Sequence, residues 1–174
     1  MDKGIVQLYH GTGKGKTTAA FGLALRAAGH GLNVLIIQFM KESVIGAGEV
    51  EAVKRFENIE LRRFGRSFLD RPAPSDEEIK TEIKAGLILA KEAVAGGGRD
   101  LVILDEINVA LHLKVADIDA VMEIIALRDP SVELILTGRY PPQSVIDAAD
   151  LVTEMVMMKH PYDKGVLARE GIEY

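Results

Sequence analysis

The sequence predicts an α/β fold, a mostly parallel sheet with helices on both faces. Three observations lead there. Short, nearly continuous apolar runs such as NVLIIQF at 33–39 and LVIL at 101–104 recur along the chain. Longer segments with apolar residues at helical spacing separate them. Four of the runs pass directly into polar or charged residues, which is where an open parallel sheet gathers its ligand-binding turns.

Each element has its own signal. Residues 5–9 form the first strand, and the glycine-lysine segment after them opens a helix that ends at the glycine stop of 28–31. Residues 33–39 are the second strand, 50–56 a short helix, 59–64 the third strand and 65–74 an irregular loop. Ser75 with Glu78 is a capping box: each side chain satisfies an orphan N–H of the first helical turn. Ile79, Ile83, Leu87, Ala90 and Val94 continue that helix until Gly96, Gly97 and Gly98 stop it. A buried strand at 101–104 follows, then a helix over 117–127 that Asp129-Pro130 breaks. The remaining elements are a strand at 132–137, a helix at 143–149 and a last strand at 151–158, whose Met155, Met157 and Met158 read as core packing. With no internal repeat or low-complexity tract, the expectation is one domain over 1–174. The loops at 41–48 and 65–74 are candidates for ligand-covering segments.

Composition narrows the function. The chain has 174 residues, enough for a full core, and no cysteine. That excludes disulfide scaffolds, thiolate nucleophiles and thiolate metal sites, and suits a reducing cytoplasm. No apolar run is long enough to span a bilayer, and the N-terminus enters a strand directly, so neither a membrane anchor nor a signal peptide is expected. A net charge of −5 with both signs interspersed argues against a nucleic-acid partner.

The chemistry begins at the exit of the first strand, HGTGKGKTT at 10–18. Gly11, Gly13 and Gly15 let the backbone turn several N–H groups toward one anion, and the helix N-terminus adds partial positive charge. Thr12, Lys14 and Thr18 flank this polyphosphate cradle; Lys16 supplies a full charge to the phosphates, and the Thr17 hydroxyl is placed for Mg²⁺ or Mn²⁺. The usual G-x-x-x-x-G-K-[ST] pattern would put glycine where His10 stands. A dinucleotide fingerprint fails, because its third glycine falls on Lys16. The strand at 101–104 ends in Asp105-Glu106, the acidic half of such a site and the second source of metal ligands. Arg139, on the Thr137-Gly138 turn, can reach a phosphate with two parallel hydrogen bonds. Gln38 and Arg26 complete the candidate binding set. Together these pieces make the expected fold P-loop NTPase-like, of the RecA type.

With the tail added, the chain resembles the ATP:corrinoid adenosyltransferases of the CobA/CobO/BtuR type. The resemblance rests on 11–26 (GTGKGKTTAAFGLALR), Gln38-Phe39, Leu104-Asp105-Glu106, 136–139 (LTGR), 158–162 (MKHPY) and 171–174 (GIEY). The two tail motifs are its specific part. It implies transfer of the 5′-deoxyadenosyl group of ATP to the Co(I) centre of a reduced corrinoid, with triphosphate as leaving group. A metal nucleophile carries no proton, so no general base is needed; stabilisation of the leaving group is, from Lys14, Lys16, Arg139 and Mg²⁺ on Thr17, Asp105 and Glu106. The resemblance also implies ATP lying reversed in the cradle, Phe68 as the side chain that displaces the lower axial ligand of the corrinoid, a flavodoxin-like reductant and a homodimer. Family members carry tryptophan two residues after that phenylalanine, where this chain has Asp70. Two other readings of the residues stay open at this point. A P-loop kinase or ATPase would break the β–γ bond, and a non-catalytic switch would bind ATP and leave it intact.

Overall fold

The computed structural model describes residues 3–41, 47–66 and 75–172. In chain order the elements are β1 (Val6–His10), α1 (Lys16–Gly29), β2 (Val34–Phe39), α2 (Gly48–Val53), β3 (Ile59–Phe64), α3 (Asp76–Val94), β4 (Leu101–Asp105), α4 (Ile107–His112), α5 (Ile118–Leu127), β5 (Glu133–Thr137), α6 (Gln143–Ala148) and β6 (Leu151–Glu154), followed by a 3₁₀ turn at Pro161–Lys164. The strands form one all-parallel sheet in the order β3-β2-β4-β5-β1-β6. β5 thus stands between the cradle strand β1 and the acidic strand β4.

Alternation along the strands builds two apolar layers. Leu35, Ile37 and Phe39 of β2 join Val102 and Leu104 of β4 and Leu134 and Leu136 of β5 beneath α3, α4, α5 and α6. Val34 and Ile36, with Leu101, Ile103 and Ile135, pack on Ala20, Phe21, Ala24, Ala27 and Ala28 of α1 and on Val53 of α2. Small residues on α1 let that helix sit close to the sheet. The capping box of α3 forms as expected: Ser75 Oγ accepts from Glu78 N–H, and the Glu78 carboxylate accepts from Ser75 N–H.

Two expectations need correction. The last strand stops at Glu154, and its four residues are exposed because β6 is the sheet edge; Met157 and Met158 are 46% and 85% exposed, so they are not core packing. The six-residue helix α4 was not expected. Its run INVALH has no cap residue in sequence, and it starts only because Glu106 takes a left-handed backbone, φ 63°, which turns the chain sharply out of β4.

The carboxyl ends of β1, β2, β4 and β5 open along one rim. Among the described residues, three of the four non-glycine residues with left-handed backbone stand there: Met40 (φ 60°), Glu106 (φ 63°) and Tyr140 (φ 57°). Such conformations cost roughly 1–3 kcal/mol each and persist where the surrounding structure holds them.

Candidate functional site

The cradle is propped from behind by the segment that leaves β6. Gly13 N–H donates to the Met155 carbonyl at 2.6 Å. A Cβ on Gly13 would lie 2.7 Å from that oxygen, so only glycine permits this approach. Gly15 caps α1 with φ 114°, again a glycine conformation. Lys16 follows at the helix start, 7% exposed, and its ammonium donates to the carbonyls of Gly11 and Gly13, both at 2.8 Å. Burial holds its pKa below the usual lysine value; Glu106 opposes that shift, while Arg139 and Lys41 reinforce it. Lys14 is exposed and donates to the Ile172 carbonyl at 2.9 Å, which ties the cradle to the tail.

Asp105 is the hub of the site. It is fully buried and accepts four hydrogen bonds. Thr17 Oγ1 (2.9 Å) and Thr137 Oγ1 (2.7 Å) donate to its Oδ1. Gln38 Nε2 and Lys41 Nζ, each at 3.0 Å, donate to its Oδ2. The Lys41 ammonium also donates to Thr17 Oγ1 at 2.9 Å and lies 3.7 Å from Glu106 Oε1. Burial disfavours this charge, yet Asp105 and Glu106 outweigh it and raise the Lys41 pKa. Thr137 Oγ1 accepts from Glu106 N–H at 2.9 Å, so one hydroxyl fixes both acidic residues.

These groups border a cavity of about 1030 Å³, at the upper end of small-molecule sites. Thr12, Gly13, Lys14, Gly15, Lys16, Thr17 and Thr18 form its floor; Lys41, Glu106 and Arg139 stand on its walls. Phe21, Leu25, Met40, Val109 and Leu113 give it an apolar side. His112 and Tyr140 pair there, ring centroids 4.6 Å apart, and His160, Gly171 and Ile172 bring the tail to the rim. Asp105 and Gln38 sit behind the wall, and Gly11 contributes a carbonyl to Lys16. Arg26 is exposed in the last turn of α1 and is not among the lining residues. Phe68 and Asp70 lie outside the described residues.

A family model described as ATP:corrinoid adenosyltransferase BtuR/CobO/CobP matches residues 2–174. The chain belongs to this family. Among curated proteins it is similar to the corrinoid adenosyltransferase of Pseudomonas aeruginosa, 33% identical over 99% of this chain and 85% of that protein. It is similar as well to the corrinoid adenosyltransferase of a Sinorhizobium species (34% identical; 99% and 81% covered). The protein named Corrinoid adenosyltransferase CobA of Salmonella typhimurium is 33% identical (99% and 87% covered). The cavity is therefore the candidate active site of a family member.

Position 41 opens one of the two loops that the sequence marks as candidate ligand-covering segments, but no role for Lys41 follows from the sequence. Its signal is present: a lysine two residues past the end of a fully buried strand, opposite a strand that ends in two carboxylates. His112 and Tyr140 had no comparable signal, because α4 itself was not visible. Among the described residues no group of three His, Cys, Asp or Glu could hold a metal alone. The oxygens of Thr17, Asp105 and Glu106 nonetheless suit a hard divalent cation that takes its other ligands from phosphate and water. That a lysine ammonium already binds to them supports their affinity for positive charge.

Proposed function

We propose that the chain, acting as one adenosyltransferase domain, transfers the 5′-deoxyadenosyl group of ATP to the Co(I) of a reduced corrinoid and releases triphosphate. One observation carries this reading: in a chain that matches the family over its whole length, the cradle, Glu106 and Arg139 converge on one cavity. The electron pair of Co(I) forms the bond to C5′ as the C5′–O5′ bond breaks, and that bond pair leaves with the triphosphate. No proton moves. The demand on the protein is electrostatic, and preorganised cations meet it best in a partly buried site.

Lys16 turns from the carbonyls of Gly11 and Gly13 onto the triphosphate, and Lys14 and Arg139 hold it from either side. Backbone N–H groups between Thr12 and Thr18, other than that of Gly13, which Met155 holds, line its path. Thr17 and Glu106, with Asp105 behind, would hold Mg²⁺ or Mn²⁺, which when bound neutralises charge on the departing triphosphate. Gln38 positions Asp105. The apolar wall of Met40, Val109 and Leu113 accommodates the adenosyl group and the corrin edge. Phe68 displaces the lower ligand of the corrinoid, as the family resemblance implies. Arg26, in the last turn of α1, stands outside this cavity. A cytoplasmic homodimer served by a flavodoxin-like reductant completes the reading; among the described residues no helix is long and apolar enough to cross a membrane.

The test follows products. Purified protein is given Mg²⁺-ATP and chemically reduced corrinoid, while the alkyl-cobalt spectrum and triphosphate are measured. Equal amounts of the two, dependent on Co(I), are expected. ADP formed at a similar rate without corrinoid would sink the proposal in favour of an ATPase, and intact ATP in favour of a switch. Lys16→Ala is expected to lower turnover by a factor of at least roughly 10²–10³, the scale for removing one transition-state donor.

A further inference from the structure

Lys41 is held by the same oxygens that the proposed function gives to a divalent cation. Its Nζ lies 2.9 Å from Thr17 Oγ1, 3.0 Å from Asp105 Oδ2 and 3.7 Å from Glu106 Oε1. These partners come from three places in the fold, α1, β4 and the start of α4, and they meet only at this point. An ammonium and a divalent ion cannot share that space. Lys41 also lines the cavity and is 24% exposed, so its head has somewhere to go. A lysine side chain swings on four rotatable bonds, and triphosphate offers oxygens within the same cavity.

We infer that Lys41 is the resident counter-cation of the metal site: it neutralises Asp105 and Glu106 in the nucleotide-free protein, yields to the incoming divalent ion, and then binds the triphosphate. The consequence is ordered use of one patch of oxygens. Without nucleotide, free metal binds weakly, because it must displace a charge that is already paired. With nucleotide, the displaced ammonium gains new phosphate partners, so metal and ATP enter together. This inference rests on the proposed metal position, and its test separates the two.

The test uses full-length Lys41→Gln, whose amide still donates to the buried carboxylate but carries no charge, and Lys41→Arg, which keeps the charge. Far-UV circular dichroism checks folding of both. Mn²⁺ binding without nucleotide is measured by electron paramagnetic resonance, and ATP binding with saturating Mn²⁺ and no corrinoid by calorimetry. Lys41→Gln is expected to bind Mn²⁺ about tenfold more tightly than wild type, yet ATP about tenfold more weakly, the scale of a single charge-assisted hydrogen bond. Lys41→Arg should stay near wild type for Mn²⁺. A lysine with a purely structural role would not move the two affinities in opposite directions. Unchanged Mn²⁺ affinity, or unchanged ATP affinity, in Lys41→Gln overturns the exchange. If Mn²⁺ has no effect on ATP binding by the wild type, the metal position itself is wrong, and the exchange falls with it.

Discussion

Asp105→Asn is the sharpest probe of how the site is held. The carboxylate accepts from Thr17 and Thr137 on one oxygen and from Gln38 and Lys41 on the other. An asparagine can present only one acceptor oxygen. Turned toward Gln38 and Lys41, it leaves its NH₂ facing two hydroxyls, which must reverse and give up their own donations. In either orientation Lys41 loses its buried anionic partner. Removing one member of a buried ion pair costs about 3–5 kcal/mol; Lys41 is partly exposed and keeps Glu106, so the expected loss is about 2–3 kcal/mol. For a chain of this size that lowers Tm by roughly 5–10 °C. Urea unfolding in EDTA should be run on wild type, Asp105→Asn, Lys41→Gln and the double variant. The double variant should be less destabilised than the sum of the singles by about 1 kcal/mol or more, because the two side chains touch. A loss below about 0.5 kcal/mol for Asp105→Asn, or additive singles, would refute the hub.

Three further outcomes are expected. Gly13→Ala drives a Cβ to within 2.7 Å of the Met155 carbonyl and breaks the Gly13 N–H bond, so stability should drop by about 1–3 kcal/mol and ATP affinity should fall with it; wild-type affinity by calorimetry would contradict the propped loop. Ser75→Ala should cost about 1 kcal/mol in thermal unfolding. The Ser75 N–H and hydroxyl hold the Glu78 pKa below its usual value, so this carboxylate stabilises fully above the ordinary glutamate range and loses that contribution as pH falls through the lowered value; below the ordinary glutamate range the acid limb of stability should flatten in part in the variant, which keeps the N–H and loses the hydroxyl. Phe68→Ala should slow reaction from Co(II) with a protein reductant more than reaction from chemically prepared Co(I), and equal loss in both assays would move Phe68 out of the corrinoid site.

The sheet was legible because burial on both faces writes strands as continuous apolar runs, as in NVLIIQF. The cradle was legible because anion binding demands glycines and a lysine at one junction of strand and helix. α4 was not, since its start depends on the left-handed Glu106 and on Thr137 fixing that residue's N–H, a hydrogen bond made by a strand some thirty positions away. The exposure of Met157 and Met158 was hidden for a similar reason: whether an apolar run is core or edge depends on sheet order, and β6 turns out to be terminal. Lys41 shows the same limit within the site. Its position was visible, but its partners come from elements far apart in sequence.

The place of β1 in the sheet has a consequence for how the protein is made. Of the six strands, the one that carries the cradle is made first, but its sheet neighbours are β5 and β6, made after the other three. β2, β3 and β4 can pair among themselves while β1 waits, solvated, for seconds of synthesis. The glycine loop after β1 thus gains its sheet support last, and long-range pairing of this kind is slow. Truncation even within β6 would strip support from a glycine loop near residue 13, and nascent chains should acquire ATP binding only once β6 and the residues just after it have been made.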